Sequence, residues 1–509
     1  MTNTIYFTVV PWLLIFSSLG LAAETPQRLQ FNVNDESGRP LPCRIHLFDA
    51  AGNPQRAPGQ PFFRDHFVCS GRVALDLPTG SYRYIIARGP EYEQANGIVE
   101  LPQDPARTVT VTLRRIAKLR ELRWYSADLH VHRPIEDVEQ LMLAEDLDFA
   151  PVITWWNQRN LWGGKLPKTL VHRFDGHRLY HVMAGEDERE GGALMFFGLT
   201  RPLDIADAAR EVPSPLEFVR QARQRDPHVW IDVEKPFWWD VPVWLASGQI
   251  QSIGLANNHM CRDSMLANEA WGKPRDVGRL PAPLGNGYWT QEIYYQILNS
   301  GLRIPPSAGS ASGVLPNPVG YNRVYVHLDG ELEHDAWWEG LRTGQCFVTN
   351  GPLLVCRANG NLPGSVLQSD GAINVKLAID LKSRDSIGAI EVVQNGRVVK
   401  TLGNSNGHSQ HLQEELVLEE SGWFLVRVLT DNPRTFRFAS TGPFYVEIGD
   451  APRYVSRDAV RFFQGWVAER IDRVERNLSS DQGARDAVLR YHHAALEFWK
   501  QRESMVRSN

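Results

Sequence analysis

The sequence predicts a multidomain α/β plus β protein: an α/β domain flanked by two β-sandwiches and followed by a helical pair. Three patterns carry that expectation. Apolar residues alternate with period 2 in two separate stretches, apolar strands alternate with helical runs between them, and two 3.6-residue periodicities close the chain. A length of 509 residues agrees with three or four domains at about 150 residues each.

Residues 1–23 read as an export signal. Ile5 to Phe16 are almost wholly apolar, and Gly20-Leu21-Ala22-Ala23 supplies small residues for cleavage before Glu24. An uncleaved anchor is the competing reading, but the run is short and holds Pro11. The expectation is therefore an exported protein, periplasmic or extracellular, with no membrane span once the signal is removed.

Residues 27–115 predict the first β-sandwich. Leu29–Val33, Arg44–Phe48, Val73–Leu77, Tyr82–Ile86 and Val109–Leu113 alternate, with turn residues at Ser37-Gly38-Arg39-Pro40, Ala51-Gly52-Asn53-Pro54 and Pro78-Thr79-Gly80. This stretch resembles the transthyretin-like (carboxypeptidase regulatory-like) modules that accompany secreted catalytic domains.

Residues 120–352 predict the α/β domain. Ala127–Val131, Phe149–Ile153, His181–Ala184, Val229–Val233, Ser252–Ala256 and Tyr321–Val326 are strand candidates, and Ile135–Glu145 and Leu216–Arg225 are helical. Residues 353–450 return to alternation at Val375–Ile379, Ala389–Val393 and Trp423–Val428, which predicts the second sandwich. In residues 456–503 one apolar stripe joins Val460, Phe463, Val467, Ile471, Val474 and Leu478. A second joins Ala484, Val488, Tyr491, Ala495 and Phe498.

Composition narrows the function classes. Apolar residues make up 43% and charged residues 22%, a balance for a folded protein with a real core. The net charge of −5 offers no basic field for nucleic acid. Of the 16 Trp, 12 fall between Trp124 and Trp338, which points to an aromatic pocket or a stiff core in the middle domain. Among the five Cys, Cys43 can pair with Cys69 and Cys346 with Cys356, leaving Cys261; buried free thiols are an equal reading.

The segment Trp124-Tyr-Ser-Ala-Asp-Leu-His-Val-His132 carries the most chemistry. On a strand, His130 and His132 share a face, and two imidazoles a few ångströms apart can grip a divalent cation. Asp128 on that face can ligate or hold an imidazole N–H. Further candidates are Glu186 or Asp187 in Glu186-Asp187-Glu188, Asp232 and Glu234 two residues apart, and His259 beyond a strand end. Together they can build a single-metal centre holding Zn or Mn, in which Glu234 or Asp232 ligates or handles protons and Asp128 and Glu234 are the catalytic candidates. Trp155, Trp156, Trp238 and Trp239 fall in expected strand-end loops, where indole faces can hold a sugar ring.

Asp128-Leu-His-Val-His132 after a Trp resembles the first motif of the PHP (polymerase and histidinol phosphatase) metallohydrolases, closest to the CehA/McbA branch. Leu147–Asn157, Gly185-Glu186-Asp187-Glu188, Gly309–Gly313, Gly320–Tyr325 and Thr349–Pro352 follow the family's order over residues 120–360. The resemblance implies a PHP-like distorted (β/α)7 barrel with metal at the C-terminal strand ends. Four usual ligand positions differ: Trp155-Trp156, Gly191-Gly192, Lys235-Pro236 and Ala311-Ser312-Gly313 stand in their places. By motif position Asp187 replaces the family's Glu. The expected function is an exported divalent-metal hydrolase of ester, amide or phosphoester bonds with a degenerate site. The alternative is an inactive barrel that binds carbohydrate through the Trp residues, so the expected partner is a small molecule or a glycan.

Overall fold

A computed structural model describes residues 26–103, 106–403, 408–449, 454–504 and 506. The expected export signal at 1–23 lies outside them. Among the described residues no helix is long and apolar enough to cross a membrane.

The first β-unit forms because its strands carry one apolar face each. In Gln27–Asn34, Leu29, Phe31 and Val33 are fully buried while their neighbours are not, each contributing about 1.5–3 kcal/mol of burial. This strand lies between Arg72–Leu77 (antiparallel) and Arg107–Thr112 (parallel). A second sheet runs Phe62–Phe63, His66–Cys69, Cys43–Phe48, Gly80–Ala87, Ala95–Leu101. Two of these strands escape sequence patterning. His66–Cys69 is buried on both faces and does not alternate. Ala95–Leu101 holds Gly97, a poor strand former, whose missing side chain leaves room for the Tyr84 ring.

The middle region is mixed α/β. Phe149–Trp156 is buried along seven of its eight residues, as befits a strand covered on both sides. It pairs in parallel with Arg178–Arg189. Gly192–Phe197 then folds back antiparallel on Arg178–Arg189, and Trp230–Val233 pairs antiparallel with Gly192–Phe197. Ser252–Ala256 and Pro306–Ala308 follow in parallel. The antiparallel steps depart from a plain β/α repeat. The first of them arises because Gly191 and Gly192, where φ of Gly192 is +122°, make a turn too tight for a crossover helix.

The strand expected at Ala127–Val131 is corrected: the regular strand is Trp124–Ala127. Beyond it Asp128 draws backbone N–H groups of His130, Ser310 and Gly320 onto its carboxylate, which breaks the ladder. The chain still runs between its neighbours. Leu129 N–H donates to Ala308, His132 N–H donates to Ser312, and Val131 bridges both Val152 and Ser312.

Helix Val138–Glu145 follows one 3-10 turn at Ile135–Asp137. Helix Pro215–Arg225 starts at Ser214, whose hydroxyl accepts from the Leu216 N–H. Trp244 belongs to a short helix, Val241–Ala246. The last β-unit packs Leu353–Ala358, Ile373–Lys382 and Ser409–Leu418 against Ile387–Gln394, Arg397–Leu402 and Gly422–Thr430 over a shared core.

Helices Arg457–Asn477 and Gln482–Ser504 lie on the middle region. The first buries the expected Val460, Phe463, Val467, Ile471 and Val474 plus Trp466 and Arg470. The second buries the expected Val488 and Ala495 but turns Leu489, His492 and Trp499 inward beside them, leaving Tyr491 and Phe498 only half-buried. Its indole Nε1 at Trp499 donates to the Pro242 carbonyl at 3.0 Å. A buried Arg470 guanidinium bridges Glu211 (2.6 Å) and Asp240 (2.7 Å), and His492 Nε2 sits 3.2 Å from the same Asp240. The indole and the charge network fix the pair in place.

All five cysteines are free and buried. Cys43 and Cys69 face each other across adjacent antiparallel strands with Sγ atoms 3.8 Å apart. Cys346 and Cys356 lie in different core clusters and do not meet.

Candidate metal centre

Two elements deliver the centre. The extension beyond Trp124–Ala127 supplies His130 and His132, and Arg178–Arg189 supplies Glu186. The Nε2 atoms of the two histidines are 2.9 Å apart, and Glu186 Oε2 lies 3.2 Å from His132 Nε2 and 3.5 Å from His130 Nε2. Ligand atoms about 2.0–2.1 Å from a tetrahedral ion stand about 3.4 Å apart, so these spacings suit one cation. Glu186 Oε2 is also buried, and among the described residues it meets these two imidazoles and takes no hydrogen bond from any other group. The donor set fits a divalent metal.

Glu234 backs this set. Its Oε1 lies 3.3 Å from His130 Nδ1, the nitrogen facing away from the convergence point, as an outer partner that fixes a metal-ligating imidazole does. Lys235, Asn258 and the Trp238 indole N–H also bind the Glu234 carboxylate. Glu234 therefore positions His130, and its oxygens are too engaged to serve as the expected proton shuttle.

Charge at the centre is lopsided. Burial disfavours the His130 cation, yet the Glu186 and Glu234 carboxylates hold its pKa up at about 10. His132 moves down, through burial and the His130 charge. Glu188 at the rim, taking a hydrogen bond from Trp156 Nε1 at 3.1 Å, is pushed up to about 8 by burial and by Glu186 and Glu234. Against the effect of burial, the His130 and His132 charges hold the Glu186 carboxyl down and the Lys235 and His130 charges hold Glu234 down, so in the metal-free centre a proton on His130 supplies the positive charge that a bound cation would bring.

The other expected site residues are placed elsewhere. Asp128 is fully buried and spends its carboxylate on the three backbone N–H groups, so it shapes the loop and does no proton chemistry. Asp187 points to the opposite face from Glu186 and pairs with Arg189 at 2.5 and 2.8 Å. Between the two carboxylates left open in the sequence, the geometry selects Glu186. Asp232 accepts from the Ser252 and Ser307 hydroxyls, and burial lifts it to about 7. His259 Nδ1 donates to the Asn268 carbonyl (2.9 Å), and its ring packs on Phe237 with ring centres 5.3 Å apart. None of these four joins the convergence point.

The indoles divide in the same way. Trp156 alone lines the rim, half-buried, its ring 5.0 Å from His132. Trp155, Trp238 and Trp239 are buried, so they present no face to a sugar. Trp155 fills the space over Gly185, Trp238 carries Lys235 4.5 Å above its ring, and Trp239 holds Arg473 at 4.3 Å. The polarity of the surrounding motif suggested open loops, whereas packing consumed the rings.

The sequence offers Lys235 and Arg189 as partners of the site carboxylates, and they pair with Glu234 and Asp187. Sequence reasoning missed Glu188 as a neighbour, for which the spacing of Glu186 and Glu188, two apart on a strand, was the available signal. A further cluster, His46, Asp65 and His66, has ligand-like spacing in the first β-unit. Its donors are already spent: Arg262 Nη2 reaches Asp65 at 2.9 Å and Arg44 Nε donates to His46 Nε2 at 3.0 Å. Guanidinium charge fills that place.

No family model matches the chain, and no curated protein matches it. Solved structures of a β-glucosidase from Listeria innocua align weakly. The complex with isofagomine is 14% identical with a TM-score of 0.14, and the complex with glucose is 14% identical with a TM-score of 0.13. Each alignment covers 69% of this chain, which spans 41% of the β-glucosidase. At those scores the likeness carries no argument about fold or activity.

Proposed function

We propose that this chain is a divalent-metal-dependent hydrolase with a single-metal site, acting on an ester, amide or phosphoester bond within a PHP-like barrel. One observation carries the reading: His130, His132 and Glu186 converge on a point where a buried carboxylate oxygen has no other partner. A bound cation would supply Lewis acidity to a carbonyl or phosphoryl oxygen. The chain's own residues do the rest. Glu234 keeps His130 oriented through Nδ1, Lys235 adds a buried positive charge beside it, and Trp156 shields the His132 side from solvent. Three protein ligands leave one tetrahedral position for substrate or water, the pattern of catalytic rather than structural sites.

The carbohydrate-binding alternative draws support only from Trp156, because the other three indoles are buried. Export of the mature protein remains part of the proposal, on the pattern of residues 1–23.

The test is elemental mass spectrometry on protein purified without a chelating tag, beside the His130→Ala/His132→Ala double variant. About one Zn or Mn per chain, lost in the variant, supports the reading and directs a screen of esters, amides and phosphoesters. A folded, metal-free wild type that takes up none of either ion on titration ends it.

A further inference from the structure

The three β and α/β regions enclose a second feature, remote in chemistry from the His–Glu centre. A cleft of about 720 Å³ is lined by seven cationic and two acidic side chains. Five of the cations have acidic partners. Arg44 pairs with Glu145, Arg114 with Glu93, Arg115 with Glu91 and Asp146, Arg262 with Asp65 and Asp263, and Arg437 with Asp385.

Two are left over. Lys382 Nζ has only the Ser409 hydroxyl, and Arg384 makes no hydrogen bond or ion pair among the described residues, with a buried, unpartnered Nη1. Burial, together with the charges of Arg44 and Arg437 and against that of Asp385, draws the Arg384 guanidinium down to about 10. An arginine kept half-buried beside two others, with no carboxylate in direct contact among the described residues, is costly unless an anion completes it.

The wall is also built to hold shape. Arg437 is fixed by Asp385 at 2.7 Å and by the Arg262 carbonyl at 3.0 Å. It lies so close over Gly351 that a Cβ there would stand 2.7 Å from its Cδ. Tyr321 places its ring 5.9 Å from the same guanidinium.

We propose that this cleft binds an organic dianion, a dicarboxylate or a phosphomonoester, whose two charges meet Arg384 and Lys382. Two surplus cations set the charge. The volume, within the 300–1,000 Å³ of small-molecule sites, sets an organic body larger than a bare ion.

Titration calorimetry with glutarate, phenyl phosphate and inorganic phosphate tests this on the whole chain. The expected result is saturable binding of glutarate or phenyl phosphate, weakened by salt, at least tenfold weaker in Arg384→Gln and partly restored in Arg384→Lys. Which probe binds tells carboxylate from phosphate. Because Arg384 makes no hydrogen bond or ion pair among the described residues, Arg384→Gln should keep the wild-type melting temperature. If it does not, Lys382→Gln decides by the same tenfold criterion. No binding of either organic anion, binding of inorganic phosphate alone, or binding indifferent to the decisive variant overturns the proposal.

Discussion

The Nε2 atoms of His130 and His132 stand 2.9 Å apart, and Glu186 Oε2 lies within 3.5 Å of both. Removing one member leaves two ligands and an open flank. We expect His132→Ala or Glu186→Gln to weaken Zn binding by more than about a hundredfold. Glu234→Gln should fall in the about 10–100-fold range of outer partners, and Asp187→Asn should leave affinity unchanged. Competition titration with a chromophoric chelator reads all four, and equal effects at Glu186 and Asp187 would contradict the assigned register.

Metal uptake should release protons. The metal-free His130 is held protonated, with its pKa raised to about 10, and a ligand imidazole must be neutral. Affinity therefore drops as pH falls below that value, by up to about tenfold per unit. Calorimetry at pH 7 in buffers of different ionisation enthalpy should show about one proton released per Zn; none released would refute the linkage.

The charge network at Arg470 should be a main anchor of the C-terminal helices. Its guanidinium is wholly buried between Glu211 and Asp240. Taking away one partner of such a buried pair costs about 3–5 kcal/mol, so Arg470→Ala should lose that much in urea unfolding. Arg470 and His492 also hold Asp240 below the usual carboxylate range, against the effect of burial. That stability is present above the unfolded carboxyl pKa, about 3.9, and is lost as pH falls through the lower folded value.

His181 predicts a second acid-sensitive contribution. Burial, followed by the His334 and His172 charges, pulls it down to about 3, and its Nδ1 has no partner. The neutral ring stabilises the fold above the unfolded pKa of about 6.5 and ceases to do so as pH drops toward 3. Replacing it by Phe should flatten the slope of stability against pH between 6.5 and 4 by up to about 1.4 kcal/mol per unit. An unchanged slope would show that the ring is already charged in the folded protein.

Cys43 and Cys69 should join on oxidation. They are cross-strand partners with sulfurs 3.8 Å apart, whereas Cys346 and Cys356 sit in separate clusters. Oxidised glutathione would take the two electrons and two protons, and peptide mapping should find the 43–69 link alone.

How far the sequence reaches depends on what each pattern measures. Alternation located the β-units because it reports a single buried face, as at Leu29, Phe31 and Val33. It failed at His66–Cys69, buried on both faces. The His130–His132 pair was legible from spacing, but its partner was not: only the observed strand face separates Glu186 from Asp187. The indoles misled because a Trp beside charged residues looks alike in a binding loop and in a core. Asp128 misled for a related reason, since a carboxylate that binds main-chain N–H groups has no sequence signature distinct from one that binds a metal.

Gly185 and Trp155 face each other so closely that a Cβ on the glycine would stand 1.7 Å from the indole. The next residue along is Glu186, so the ring and the gap beneath it act as a spacer that sets how far that carboxylate sits from the histidines. In descent, the two positions should therefore change together or not at all. A lineage that gains a side chain at 185 must first shrink the ring at 155, and only then can the neighbouring strand come back into line.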